Sequence, residues 1–354
     1  MIATASKRLA PPNPVDFLDV DALLTDEERL VRDTVRAFVG KHVLPNIAEW
    51  FEDGTIPREL GKSLGDLGLL GMHLTGYGCP GASAVAYGLA CLELEAGDSG
   101  IRSFASVQGS LAMFAIHRWG SEEQKQTWLP RMAAGEAIGC FGLTESDFGS
   151  NPAGMRTSAR RDGSDWIIDG TKMWITNGGI ADIAVVWAQT DDGIRGFLVP
   201  TGLPGFSVNA IERKLSLRAS VTSELVFSGC RVPADSVFPD VRGLQGPLAC
   251  LNEARYGIVW GSMGAARACY ETALDYAKTR IQFDKPIGAY QITQEKLVNM
   301  LLELNKGTLL ALHIGRMKDD GKAHSSHVSF GKLNNVREAL AIAREARTIL
   351  GANG

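Results

Sequence analysis

Apolar positions recur at helical spacing over the first third of the chain. Thr25 with Glu28 three residues later is a capping-box signature, and Leu30, Val31, Val35, Phe38 and Val39 behind it share one helical face. Ser121 with Gln124 repeats the signature before a second helix, and residues 85–118 read as helical and unusually apolar. This pattern predicts an all-helical unit over residues 17–135, preceded by a loose arm over residues 1–16 that holds Pro11, Pro12 and Pro14.

Between residues 136 and 242 the period changes. Trp166-Ile167-Ile168, Ala184-Val185-Val186-Trp187, Gly196-Phe197-Leu198-Val199 and Glu224-Leu225-Val226-Phe227 read as strands. Asp162-Gly163, Asp169-Gly170, Asp192-Gly193 and Pro204-Gly205 read as the turns around them. Short strands at this spacing predict an antiparallel β unit. From 243 to 354 the helical period returns, with long helices expected near 248–279, 290–318 and 326–350 and Gly351 placed to stop the last one with a left-handed residue. The order α, β, α predicts an α+β fold rather than alternating βαβ units.

Composition narrows the function classes. At 354 residues and 45% apolar content the chain has room for two or three domains with real cores. A net charge of −4 leaves no basic excess for nucleic acid. The six cysteines include no CxxC pair, which fits reduced thiols, argues against zinc and points to a cytoplasmic location. His324 and His327 are three apart, but no carboxylate or cysteine cluster joins them, so no metal site is expected. No apolar stretch reaches the roughly twenty residues of a membrane span, and the N-terminus has no secretory h-region. Gly76-Tyr77-Gly78-Cys79-Pro80-Gly81 has GxGxxG spacing, yet it follows a helix-like segment and Pro80 lacks an amide donor; it reads as a turn between helices.

Two short segments carry the candidate chemistry: Cys140-Phe141-Gly142-Leu143-Thr144-Glu145-Ser146-Asp147-Phe148-Gly149-Ser150 and Trp174-Ile175-Thr176-Asn177-Gly178. One small sheet can bring Thr144, Ser150, Trp174 and Thr176 together as a docking edge for a flat heterocycle. The same residues are also ordinary strand formers, and spacing alone does not decide. Arg102 is the only charged residue between Ser99 and Ile116. A buried guanidinium needs a carboxylate or a wet cavity. Either Glu95, seven positions earlier, pairs with it structurally, or it binds an anion.

These segments resemble the flavin-binding signature of the acyl-CoA dehydrogenases, and the resemblance runs from Phe17 to Gly354. It leans to the glutaryl-CoA dehydrogenase branch on Asp98-Ser99-Gly100-Ile101-Arg102-Ser103, Leu251-Asn252-Glu253-Ala254-Arg255-Tyr256-Gly257, Arg280-Ile281-Gln282-Phe283 and Leu350-Gly351-Ala352-Asn353-Gly354. The resemblance implies FAD as cofactor, held by Phe141, Leu143, Thr144, Gly149, Ser150, Trp174, Ile175 and Thr176. Arg280, Phe283, Gln291, Gly351 and Gly354 are implied to reach the FAD of a neighbouring subunit in a homo-oligomer, a tetramer in this family. An acyl-CoA substrate is implied at Arg102, Ser103, Ser150, Asn252 and Arg255, with Arg102 and Ser103 on the distal carboxylate of a glutaryl group. The implied reaction is α,β-dehydrogenation with decarboxylation of glutaryl-CoA to crotonyl-CoA, electrons passing to an electron-transfer flavoprotein.

The chain departs from the family at the catalytic base. In the glutaryl-CoA branch that glutamate sits in a Tyr-Glu-Gly-Thr motif further along than Gly354. In another subgroup it stands where this chain has Ala254. Glu253 is adjacent, but about 100° round the helix. The expectation is a C-terminally truncated chain with no catalytic residue of its own, impaired FAD binding, lost dehydrogenation, and Leu301, Leu302, Leu340 and Ile349 left uncovered. Two rival readings remain: a non-decarboxylating acyl-CoA dehydrogenase of other specificity, and a non-catalytic acyl-CoA- or flavin-binding subunit.

Overall fold

Helix α1 (Asp26–Phe38) starts where the capping signal places it, with Thr25 Oγ1 accepting from the Glu28 amide and Glu28 Oε2 from the Thr25 amide. The computed structural model describes residues 11–354. Most of the arm expected over residues 1–16 lies outside the described residues; of the rest, the Pro14 carbonyl accepts from Tyr270 Oη at 2.9 Å.

Helices α2 (Ile47–Asp53) and α3 (Glu59–Asp66) follow, then a hairpin of β1 (Thr75–Gly76) and β2 (Cys79–Pro80). Tyr77 and Gly78 turn that hairpin with φ of 53° and 82°, so the GxGxxG spacing belongs to a tight two-residue turn. The apolar stretch expected as helix is built as α4 (Ala84–Gly97), α5 (Ser99–Ser106), a π-helical segment over Val107–Met113, and α6 (Phe114–Trp119). It breaks at Asp98, whose extended backbone lets the carboxylate accept from the Gly100 amide. Helix α7 (Glu122–Ala133) begins with the second capping box, Ser121 with Gln124.

The π-helical segment is tied to the sheet by buried Gln108. Its Nε2 donates to the Met132 and Ala137 carbonyls at 3.1 and 2.8 Å, and its Oε1 accepts from the Gly139 amide at 2.7 Å. Gly139 opens β3 (Gly139–Gly142), which is followed by β4 (Ser158–Asp162), β5 (Asp165–Thr176), β6 (Ile183–Thr190), β7 (Gly193–Pro200), β8 (Phe206–Ala210) and β9 (Thr222–Val232). The order is β3-β6-β4-β5-β9-β8, with β7 paired to β6. Most pairs are antiparallel, but β3 runs parallel to β6, and β4 meets β6 in parallel at one pair.

Asp169-Gly170 is not the turn its composition predicts. It lies inside β5, where the pairing with β9 slips between Ile168 and Gly170. Gly170 sits at φ 140°, and a Cβ there would stand 2.6 Å from Thr157 Cα. The close pass of Thr157 therefore requires the glycine. A second slip falls between Lys172 and Ile175 and turns Trp174 out at φ 65°.

The last unit is α8 (Gln245–Thr279), a hairpin of β10 (Ile281–Gln282) and β11 (Lys285–Pro286), α9 (Gln291–Asp319) and α10 (Ser325–Leu350). These are the three helices the sequence predicts. Gly351 has the expected positive φ of 63°, but its ψ of −127° lies outside the left-handed helical region. Helices α4 and α8 touch through glycines, Gly88 under the Trp260 ring and Gly264 against the Leu92 carbonyl. Beside them, buried Glu93 on α4 accepts from Arg36 of α1 and Arg267 of α8. Of the apolar positions expected uncovered, Leu302 and Leu340 are each 51% exposed, whereas Leu301 is half-buried and Ile349 is buried.

Candidate active site

A hollow of about 340 Å³ opens between one edge of the sheet and the helices. Phe141, Leu143, Thr144, Gly149 and Ser150 line it from β3 and the following loop, and Trp174, Ile175 and Thr176 from the end of β5. The structure thus brings together all eight of the sheet-unit residues expected at a cofactor. Val107 and Leu111 of the π-helical segment and Leu248 and Leu251 of α8 complete the walls. Sequence reasoning missed these four and also Pro152, which lines the hollow from the loop after β3; the only signal for the four helical residues is apolar periodicity, which any core helix shares. A concave, mostly apolar site with a few hydroxyls at its rim suits a planar ring with polar edges.

Local backbone makes this edge. Trp174 is one of few non-glycine residues at positive φ, and its indole is 61% exposed into the hollow. Such backbone costs about 1–3 kcal/mol and persists where the surroundings impose it. The Met173 amide donates to the Thr144 carbonyl at 2.8 Å and joins strand to loop. Beneath them lies Lys172, fully buried, donating to Glu145 Oε1 at 2.8 Å and to the Leu143 carbonyl at 3.1 Å. Burial pulls its ammonium down to about 8, against the opposing pull of Glu145. Burial also acts to raise the Glu145 carboxyl, but hydrogen bonds from the Arg156 amide, Lys172 and Thr157 outweigh it and hold the group below its ordinary value.

Arg102 is buried on α5, and its Nε is bonded to Glu95 Oε2 of α4. Burial opposes its charge, and Glu95 more than restores it. Neither Arg102 nor half-buried Ser103 lines the hollow, although their helix runs on into Val107, which does. Asn252 and Arg255 follow Leu248 and Leu251 by one turn of α8 and share their face. Asn252 Oδ1 is buried with no hydrogen-bond partner, and half-buried Arg255 makes no ion pair among the described residues. A buried acceptor of this kind wants a donor that the protein does not itself supply.

The second group of expected cofactor residues stands elsewhere. Arg280, Phe283, Gln291, Gly351 and Gly354 are all exposed, and none lines the hollow. Phe283, 89% exposed, borders a shallow cavity of about 310 Å³ with Tyr290, Ile292, Thr348 and Ile349. That cavity sets the loop after α8 beside the end of α10, and Gly351 follows directly.

Among the described residues no aspartate or glutamate lines the hollow. Glu253 is instead held by Lys318 of α9 at 2.8 Å. Among the described residues no three His, Cys, Asp or Glu side chains form a metal-sized group, and no helix is long and apolar enough to cross a membrane.

The chain is similar to known proteins over most of its length. The acyl-CoA dehydrogenase N-terminal, middle and C-terminal domain families match residues 25–136, 140–230 and 242–354 in turn. The human short-chain specific acyl-CoA dehydrogenase, mitochondrial, is 35% identical over 338 residues, 94% of this chain and 82% of its own. The crystal structure of a glutaryl-CoA dehydrogenase from Mycobacterium smegmatis in complex with FADH2 is 65% identical with a TM-score of 0.95, covering 97% of this chain and 89% of that one. Butyryl-CoA dehydrogenase from Megasphaera elsdenii is 31% identical with a TM-score of 0.88, over 93% of this chain and 89% of that one.

Proposed function

The chain belongs to the acyl-CoA dehydrogenase family, an FAD-dependent family, and from that premise we propose that it acts on glutaryl-CoA, dehydrogenating it and releasing carbon dioxide to give crotonyl-CoA. The observation that carries the choice of substrate is Arg102, a buried cation on the helix that leads into the hollow. A guanidinium gives strong discrimination between a distal carboxylate and a methyl group. The 65% identity to a glutaryl-CoA dehydrogenase supports the same reading.

The hollow fits the flavin ring: apolar walls take its faces, and the Thr144 and Thr176 hydroxyls stand at its rim. When bound, FAD supplies the acceptor for the hydride leaving the β carbon. In this proposal Thr144 and Thr176 hold the ring edge, and the Trp174 indole packs against its face. Asn252 and Arg255 take the thioester and pantetheine side, where the orphaned Asn252 oxygen accepts an N–H from the ligand. Arg102 with Ser103 fixes the far carboxylate and so sets the acyl chain in line. Glu253 is committed to Lys318 and is not the acceptor of the α proton, which passes to a carboxylate base other than the described residues that line the hollow. The exposed Phe283 and Arg280 segment faces the FAD of a second subunit, and electrons leave to an electron-transfer flavoprotein.

The test is R102Q assayed with glutaryl-CoA and with butyryl-CoA. The reading expects the affinity of R102Q for glutaryl-CoA to fall by about a hundredfold or more, the worth of a charge-assisted pair in a dry site, with that for butyryl-CoA little changed. Equal losses on both substrates reject it. One observation favours a second reading: Arg102 already has a carboxylate partner in Glu95. A short-chain, non-decarboxylating dehydrogenase would use the pair only to tie α4 to α5, and its preferred substrate would be butyryl-CoA.

A further inference from the structure

We propose that Lys172 and Glu145 are positioning residues for the flavin: their buried ion pair holds the two segments that form the ring-binding edge in mutual register. The proposal rests on the flavin reading of the hollow and adds a cause for its shape.

One strand register and four hydrogen bonds carry it. Lys172 occupies the last paired position before the second slip of β5 against β9, opposite Leu225. Its ammonium therefore stands at the base of the bulge that turns Trp174 outward. The same ammonium donates to the Leu143 carbonyl and to Glu145 Oε1, one residue to either side of Thr144. Glu145 in turn accepts from the Arg156 amide on Oε2 at 2.7 Å and from the Thr157 amide on Oε1 at 2.9 Å. A single carboxylate thus ties down both ends of the loop from 145 to 157, whose middle presents Gly149 and Ser150 to the hollow. The Lys172 ammonium also reaches Met155 Sδ inside the loop at 3.8 Å, whereas the pair of Arg156 with Asp147 at 3.4 Å is between exposed side chains.

Energetics argue against a purely structural pair. A fully buried ammonium is costly, and apolar residues of similar volume commonly replace such pairs without loss of stability. Lys172 lies in a strand whose neighbours Ile168 and Ile175 are buried apolar residues, so the position has an apolar alternative. What an apolar side chain cannot do is grip a carbonyl and a carboxylate that flank the Thr144 hydroxyl. The pair therefore sets geometry, and the cofactor reads that geometry.

The experiment compares the parent protein with K172M, E145Q and the double variant. FAD is titrated by flavin fluorescence quenching, hydrogen exchange is followed over residues 144–157, and the fold is checked by circular dichroism. K172M is expected to weaken FAD binding by about tenfold or more, the worth of one charge-assisted hydrogen bond. Exchange over the loop is expected to quicken, and the absorption envelope of bound flavin to change. The double variant is expected to bind no more weakly than the worse single one, because both remove the same clamp. If K172M does not fold, E145Q keeps the side-chain shape and carries the test. FAD affinity within about twofold of the parent in the folded variants overturns the proposal, even where thermal stability drops. A parent protein that binds no FAD at millimolar concentration overturns the flavin reading and the proposal together.

Discussion

Glu95 on α4 and Arg102 on α5 form a buried ion pair across the extended break at Asp98. The break matters because it changes the direction of the chain between the two partners. In an unbroken helix, residues seven apart lie on one face two turns apart along the axis. Here both side chains are about nine-tenths buried, so each is the main answer to the other's desolvation.

E95Q should therefore leave an unpaired buried cation and lower stability by roughly 3–5 kcal/mol. On the proposed reading a dicarboxylic ligand replaces the missing carboxylate. Urea melts with and without glutaryl-CoA check this: the ligand-induced gain should be larger in E95Q than in the parent. An equal gain in both would separate Arg102 from the ligand.

Trp174 is expected to trade stability for binding. Its backbone at φ 65° suits glycine better than tryptophan, and its indole is mostly exposed. W174G should raise the stability of the flavin-free protein by about 1 kcal/mol, less the entropy glycine adds to the unfolded chain. The same change should weaken FAD binding by about tenfold, the loss of one aromatic stacking contact. Denaturant melts and flavin titration on one preparation measure both.

His73 gives the protein an acid-sensitive step. Both ring nitrogens are out of water with no hydrogen-bond partner, and burial pulls the group down from 6.5 to about 4. Between those values the unfolded chain binds a proton that the folded one refuses, so stability falls as pH falls from 6.5 toward 4. The loss is on the order of 3 kcal/mol. In H73L this component should vanish, leaving a shallower slope of unfolding free energy between pH 7 and pH 4.5. Identical slopes would refute the assignment to His73.

Glu93 should act at lower pH. Burial raises its carboxyl, but Arg267 and Arg36 outweigh that and hold it below the ordinary value. The stability it contributes is present above the unfolded carboxyl range and is lost as pH falls through the depressed folded value. R267M removes one of its two cations and should cost roughly 3 kcal/mol at pH 7, with less difference from the parent in strong acid. Guanidinium melts at both pH values test it.

Local signals were readable in the sequence wherever the physics is local. Thr25 with Glu28 and Ser121 with Gln124 specify their helix starts because each capping box closes within four residues. The three long helices of the last unit follow from unbroken periodicity, and the α, β, α order follows from the change of period. The residue types around Thr144 and Trp174 left a docking edge and ordinary strand both open, and the family resemblance favoured the first; in the structure the two segments meet at one hollow.

Other features depend on atoms far along the chain. Asp169-Gly170 has turn composition, yet the close pass of Thr157 makes it a bulge inside a strand. Nothing near Lys172 in sequence shows that its ammonium will be sealed against Glu145, because the partner lies 27 residues earlier on a different segment. The walls supplied by Val107 and Leu248 come from two helical units that share a cavity only after α4 and α8 have packed. Sequence alone determined the elements and the chemistry available, since propensity, capping and residue type act over a few residues. The tertiary structure alone decided which charges are paired and which side chains share the hollow, since burial and distance are properties of packed elements.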